Sequence, residues 1–126
     1  MFTSSPSVAY LDSIGGSSTN GTSTETSDPV GDFYTFDWPN ANTLCATYST
    51  QSLAGRNNWR LPSAQELQTE LVDRSIAVLR SWPLGIGPYW TMTPLGSSYY
   101  FIDLESGFSE PTTQQTWLYV SCVSEP

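Results

Sequence analysis

The chain has no histidine and no lysine, and only two of its 126 residues are cysteine. Each scarcity removes a class of chemistry. Without His there is no Ser-His-Asp or Cys-His nucleophilic system, and the commonest zinc ligand is missing. Two Cys cannot build a structural zinc site. The cations are Arg56, Arg60, Arg74 and Arg80 against 12 acidic residues, a formal net charge of −8. Nucleic-acid binding needs a basic footprint to neutralise phosphate, so that class is excluded. An anionic membrane surface is no better a partner. No apolar run approaches the length of a transmembrane helix, so direct membrane insertion by this domain is not expected. Met1 to Pro6 has neither a basic start nor an apolar stretch, so any export signal is expected to belong to a longer parent. Gly85-Ile86-Gly87-Pro88 lacks the Lys and the helix of a phosphate-binding loop. No cofactor is expected.

What remains is an aromatic, uncharged polar composition. Aromatics make up 13% of the chain, with five Trp and seven Tyr, and charged residues only 13%. Ser and Thr are abundant. This is closer to an extracellular β-rich module than to a cytosolic enzyme. The length fits a single domain over residues 1–126 with a modest core.

Ser7 to Leu11 reads as a first strand. Residues 15–28 are almost entirely Gly, Ser, Thr, Asn and acidic residues, and read as a long flexible surface loop. Gly31 to Phe36 reads as a strand. Asp37 and Pro39 open a helix, with Pro in the first turn where its missing N–H does no harm. Ala41, Leu44, Cys45 and Tyr48 share one face of it at helical spacing, so Cys45 points inward. Pro62 ends the next extended segment, and Ser63 with Glu66 forms a capping box for a second helix, from about Ala64 to about Arg74. Ile76 to Leu79 and a Gly/Pro loop from Ser81 to Pro88 follow. The remainder reads as short strands: Tyr89 to Thr93, Ser98 to Leu104, and a closing strand from Thr116 to Val123. On the last, Leu118, Val120 and Cys122 share the face toward the helices. The order makes an α+β domain, with two helices and a small, mainly antiparallel sheet.

Cys45 and Cys122 admit two readings. Two buried free thiols are the plain one. The even count and the placement in regular elements favour a single disulfide, formed in an oxidising compartment or on a cell surface. Glu66, Glu70 and Asp73 lie along the second helix, with Arg74 and Arg80 nearby. A glycosidase needs two carboxylates facing each other across a cleft. Three on one solvated helix face read as surface charge, so no catalytic residue is expected. Trp38, Trp59 and Trp90 sit at element ends and read as core. Tyr119 and Phe101 read as a second core layer. Trp82, in the Gly/Pro loop, reads as exposed. Together with Tyr99, the Gln114-Gln115 turn and Trp117 it forms the candidate partner-binding set, because Trp and Tyr dominate binding hot spots.

Several segments recur together in one known family. They are Tyr10 to Gly16, Trp38 to Cys45, Trp59-Arg60-Leu61-Pro62 with Glu66-Leu67, Tyr89-Trp90-Thr91, Tyr99 to Gly107, and Tyr119 to Val123. The set resembles the C-type-lectin-like tip modules of invasin/intimin-type adhesins, the inverse autotransporters of bacteria. The resemblance implies a C-type-lectin-like fold, with Cys45 and Cys122 in the positions of its defining bridge. It also implies a receptor-binding tip on the bacterial cell surface, the distal part of an outer-membrane-anchored protein. Such a tip attaches to host cells by binding a host surface or secreted protein. Calcium-dependent lectins of this fold carry a Glu-Pro-Asn or Gln-Pro-Asp triplet and a Trp-Asn-Asp strand. This chain has Glu110-Pro111-Thr112 and Trp117-Leu118-Tyr119 instead, so binding without calcium or any other metal is expected. The alternative is a carbohydrate- or glycosaminoglycan-binding surface module, although an acidic chain suits sulfated sugars poorly.

Overall fold

The computed structural model describes residues 2–15, 19–26, 31–74, 82–83 and 88–124. Ile76 to Leu79 and most of the Ser81 to Pro88 loop therefore lie outside the described residues. The fold is α+β, and the described residues form three helices, two small antiparallel sheets and a Cys45–Cys122 disulfide.

The first helix corrects a sequence expectation. Val8–Ile14 is helix α1, not a strand. The Ser7 hydroxyl accepts the Tyr10 N–H at 3.1 Å, and Gly15 closes the helix with φ +65°. The apolar residues of so short a segment fit either periodicity, and the cap decides between them. The second correction falls in the expected loop. Gly21–Glu25 is strand β1, paired antiparallel with β2, Gly31–Thr35, in the register Gly21↔Thr35 and Ser23↔Phe33. Alternating Thr22 and Thr24 on the outer face suit a strand better than the polar composition suggests.

Helix α2, Trp38–Thr50, forms as expected, capped by the Asp37 carboxylate on the Asn40 N–H at 3.0 Å. It buries Ala41, Leu44, Cys45 and Tyr48. A short 3₁₀ turn, Leu53–Gly55, follows. Helix α3, Ala64–Leu67, carries the expected capping box, in which Ser63 Oγ accepts the Glu66 N–H and Glu66 accepts the Ser63 N–H. It does not continue as α-helix to Arg74. Gln68–Val72 widens into a π turn that buries Leu71.

Strands β3 (Pro88–Leu95), β4 (Ser98–Asp103) and β5 (Ser109–Thr112) form a meander in that order. Pro111 on the edge strand β5 removes one donor from the open side of the sheet, which discourages pairing with another chain. The segment expected to be a closing strand is extended but shares its bonds among several partners. Leu118 exchanges two hydrogen bonds with Phe36, both 2.9 Å. Tyr119 bridges Tyr89, and Val123 bridges both Arg60 and Phe2. It acts as a seam between elements rather than a strand of one sheet.

Alternation along these extended segments sorts side chains into two cores. Trp90, Leu118, Val120 and Cys122 join Phe36, Leu44, Cys45, Tyr48, Trp59 and Leu61 in the first. Tyr89, Tyr119 and Ile102 join Phe33, Leu67, Leu71, Trp82 and Leu104 in the second. Each large side chain fully buried here contributes about 1.5–3 kcal/mol. The disulfide ties α2 to the seam across 77 residues of sequence. Closing a loop of that size restricts the unfolded chain by about 4–5 kcal/mol in the chain-entropy account.

Candidate partner-binding surface

The Trp-Arg-Leu-Pro-Ser block turns out to be framework. Trp59 is buried and its indole N–H donates to the Leu53 carbonyl at 3.0 Å. The Arg60 guanidinium grips the Glu66 carboxylate with two bonds of 2.8 and 2.9 Å. That pairing, aided by the Ser63 N–H and opposed by partial burial, pushes the Glu66 carboxyl down to about 2. The carboxylate ties the helix start to the preceding segment. Glu70 lies 3.8 Å from Arg74 on the exposed side. The two glutamates face different partners and do not form an opposed pair. Arg80 lies outside the described residues.

Trp82 also proves to be framework, against the sequence expectation. It is 7% exposed, with its ring 6.1 Å from that of Tyr89. The Tyr89 hydroxyl donates to the Pro83 carbonyl at 2.8 Å and pins the segment to the second core. Glycine and proline report what the backbone is free to do. They say little about where a large side chain between them finds cover.

The other candidates are surface residues, and the fold gathers three of them. Tyr99 pairs with Thr112 across β4 and β5, and the Gln114-Gln115 turn follows directly. Tyr99 is half-buried and lies flat on Trp38, ring centres 3.8 Å apart and planes 9° apart. Trp38 is fixed in turn, its indole N–H on the Thr91 carbonyl and its backbone N–H on the Gln114 carbonyl, both 2.9 Å. The Gln114 side chain donates to the Ser97 carbonyl at 2.9 Å. Ser97, Ser98, Thr113, Gln114 and Gln115 line a shallow cleft of about 240 Å³. Among the described residues, no charged side chain lines it.

Trp117 stands beside this group rather than in it. It is 56% exposed, and its ring rests on the backbone of Gly21 in β1. Behind it, Asn20 knots β1 to the start of α2. Its side-chain oxygen accepts the Asp37 N–H at 2.7 Å and the Asn40 amide at 2.9 Å. Sequence reading missed Asn20 and Gly21 because they sat in a Ser/Thr-rich run read as loop. The signal was there in Asn-Gly, followed by alternating Thr. It also missed Phe108, an exposed ring 6.2 Å from Phe101 at the far end of the same meander.

Such a surface of fixed aromatic faces, amides and hydroxyls is suited to recognition.

The model of one protein family matches residues 16–124, most of the chain: the Lcl C-terminal domain. The chain belongs to the Lcl C-terminal domain family. Lcl C-terminal domains are found in bacterial surface proteins of lectin-like character. The match is to this family and does not single out the invasin/intimin tip. No curated protein and no solved structure matches the chain. Among the described residues of this Lcl C-terminal domain, no helix is long and apolar enough to cross a membrane. The Cys45–Cys122 disulfide agrees with an extracytoplasmic location.

Proposed function

We propose that this domain is a receptor-binding module of a bacterial surface adhesin. It holds a host surface or secreted protein without calcium and performs no catalysis. In this reading it sits at the distal part of an outer-membrane-anchored protein, as in the invasin/intimin-type adhesins it resembles. The observation that carries the reading is Trp117, more than half exposed yet seated on Gly21, beside an uncharged amide and hydroxyl cleft. A Trp fixed in one orientation loses little side-chain freedom on binding and offers a large contact area. The cleft lining supports a neutral, hydrogen-bonding partner. The net charge of −8 disfavours sulfated glycosaminoglycans, which supports a protein over that alternative.

The test is binding of the purified domain to host cells and to immobilised extracellular proteins, with Trp117→Ala and Gln115→Ala alongside the parent. Circular dichroism confirms folding. Both variants are expected to stay folded and to lose binding. Unchanged binding by folded variants would move the working surface elsewhere. Binding abolished by prior glycosidase treatment of the cells would favour the sugar reading instead.

A further inference from the structure

A second cavity lies apart from the Trp117 surface. Thr3 to Ser7 form one wall of a cleft of about 330 Å³, with Tyr10, Phe33, Tyr48 and Leu53 completing it. That volume falls at the small end of ligand pockets. None of the described lining residues carries a charge at neutral pH. Tyr48 is 1% exposed and yet reaches this cleft. Its hydroxyl makes no hydrogen bond to a described residue and stays in contact with the cleft, unlike the enclosed Tyr119 hydroxyl. Burial, and the Tyr10 phenol nearby, raise the Tyr48 phenol above its ordinary value, so it remains a neutral donor.

Two further hydroxyls of the wall are arranged in the same sense, while Ser4 donates its own to the Ser5 carbonyl at 3.5 Å. Thr3 Oγ1 accepts the Cys122 N–H at 3.0 Å, and Ser7 Oγ accepts the Tyr10 N–H at 3.1 Å. Each acceptor is used by the backbone, and each O–H proton is left to point elsewhere. The cleft is therefore uncharged and rich in donors. Phe33, Leu53 and Pro6 supply apolar wall, and Tyr10 supplies a partly exposed ring. A matching ligand brings a strong neutral acceptor beside a small apolar group. An anion would meet the acidic field of the whole domain.

We propose that this cleft binds an uncharged acetamido-bearing sugar unit, an N-acetylhexosamine. The carbonyl accepts from Tyr48, the methyl group meets Phe33 and Leu53, and the sugar ring lies against Tyr10. The wall from Thr3 to Ser7 and Tyr10 precedes residue 16, where the family match begins. The site thus depends on residues outside that match. It does not depend on the Trp117 surface and stands or falls separately.

The experiment is a titration of the full domain with N-acetylglucosamine and N-acetylgalactosamine, followed by NMR of the aromatic side chains. Glucose and glucosamine serve as probes lacking the acetamido group. Tyr48→Phe removes the hydroxyl and keeps the ring, so the fold is retained, and Trp117→Ala separates the two surfaces. Shifts in Tyr10, Tyr48 and Phe33 are expected with the N-acetyl sugars alone. Tyr48→Phe should weaken binding by roughly 3–10-fold, the effect of one lost neutral hydrogen bond, and Trp117→Ala should leave it unchanged. Three results would overturn the proposal. One is no shift up to about 50 mM sugar, beyond ordinary weak binding. The second is an equal response to glucose. The third is an equal response in Tyr48→Phe.

Discussion

The ring of Trp117 rests on Gly21, so that a Cβ placed on Gly21 would lie 3.1 Å from Cζ3 and 3.2 Å from Cε3 of the indole. Strand β1 thereby sets the orientation of an exposed aromatic side chain that lies 96 positions later in the chain. Gly21→Ala forces the ring to shift while leaving the β1–β2 pairing in place. The expected stability change is within about 1 kcal/mol, as for most surface substitutions. Receptor binding should weaken by about tenfold, the scale of one disturbed aromatic contact. Thermal melts and cell binding of the same protein separate the two effects. A variant that binds like the parent would show that the seat on Gly21 is irrelevant to recognition.

The two tryptophans of the original candidate set should behave oppositely. Trp82→Ala empties part of the second core and is expected to cost about 3–5 kcal/mol. Trp117→Ala should cost less than about 1 kcal/mol. Urea titration of both gives the comparison directly. Equal losses would contradict the burial difference.

Glu66 provides a pH signature. Its carboxyl is held at about 2, below the ordinary 4.5, chiefly by Arg60. A depressed folded-state value stabilises the protein above the unfolded value, and that stability drains away as pH falls from about 4.5 toward about 2. Both side chains are about one-third exposed. After allowance for solvent screening, the contribution is about 1–2 kcal/mol. Glu66→Gln should lower stability at pH 7 and flatten its decline across that window. A parallel decline in both proteins would assign the acid sensitivity to other carboxylates.

Removing the disulfide is expected to cost about 4–5 kcal/mol, on the loop-closure account. Intact mass after alkylation should show no modified cysteine until a reductant is added. Cys45→Ala with Cys122→Ala should then melt well below the parent. Alkylation of both cysteines without reductant would rule the bridge out.

Calcium should not matter to folding. Neither Glu110-Pro111-Thr112 nor Trp117-Leu118-Tyr119 carries the ligands that calcium-dependent C-type lectins use. Melts with millimolar calcium and with chelator are expected to superimpose, and a clear upward shift with calcium would reveal a site.

Much of the fold can be read from local chemistry. The capping box at Ser63 and Glu66, the inward face of α2 and the alternation of Leu118, Val120 and Cys122 each follow from interactions within a few residues. Local periodicity decides them, and the structure has them as read. The Cys45–Cys122 bridge agrees with the favoured of the two sequence readings, and it forms because the inward faces of α2 and of the seam meet in one core. Other features lie beyond such reading. Whether Ser7 to Leu11 is helix or strand depends on one cap, and β1 exists because β2 is beside it. Leu67 passes into a π turn where α-helix is the local preference.

The site divides in the same way. Residue type alone marks Tyr99, Gln114, Gln115 and Trp117 as surface candidates, and the fold leaves each of them at least partly exposed. Only packing decides that Trp82 is enclosed and that Trp117 has Gly21 beneath it. Burial of a large ring depends on which distant segments arrive around it, and a sequence window holds no record of those neighbours.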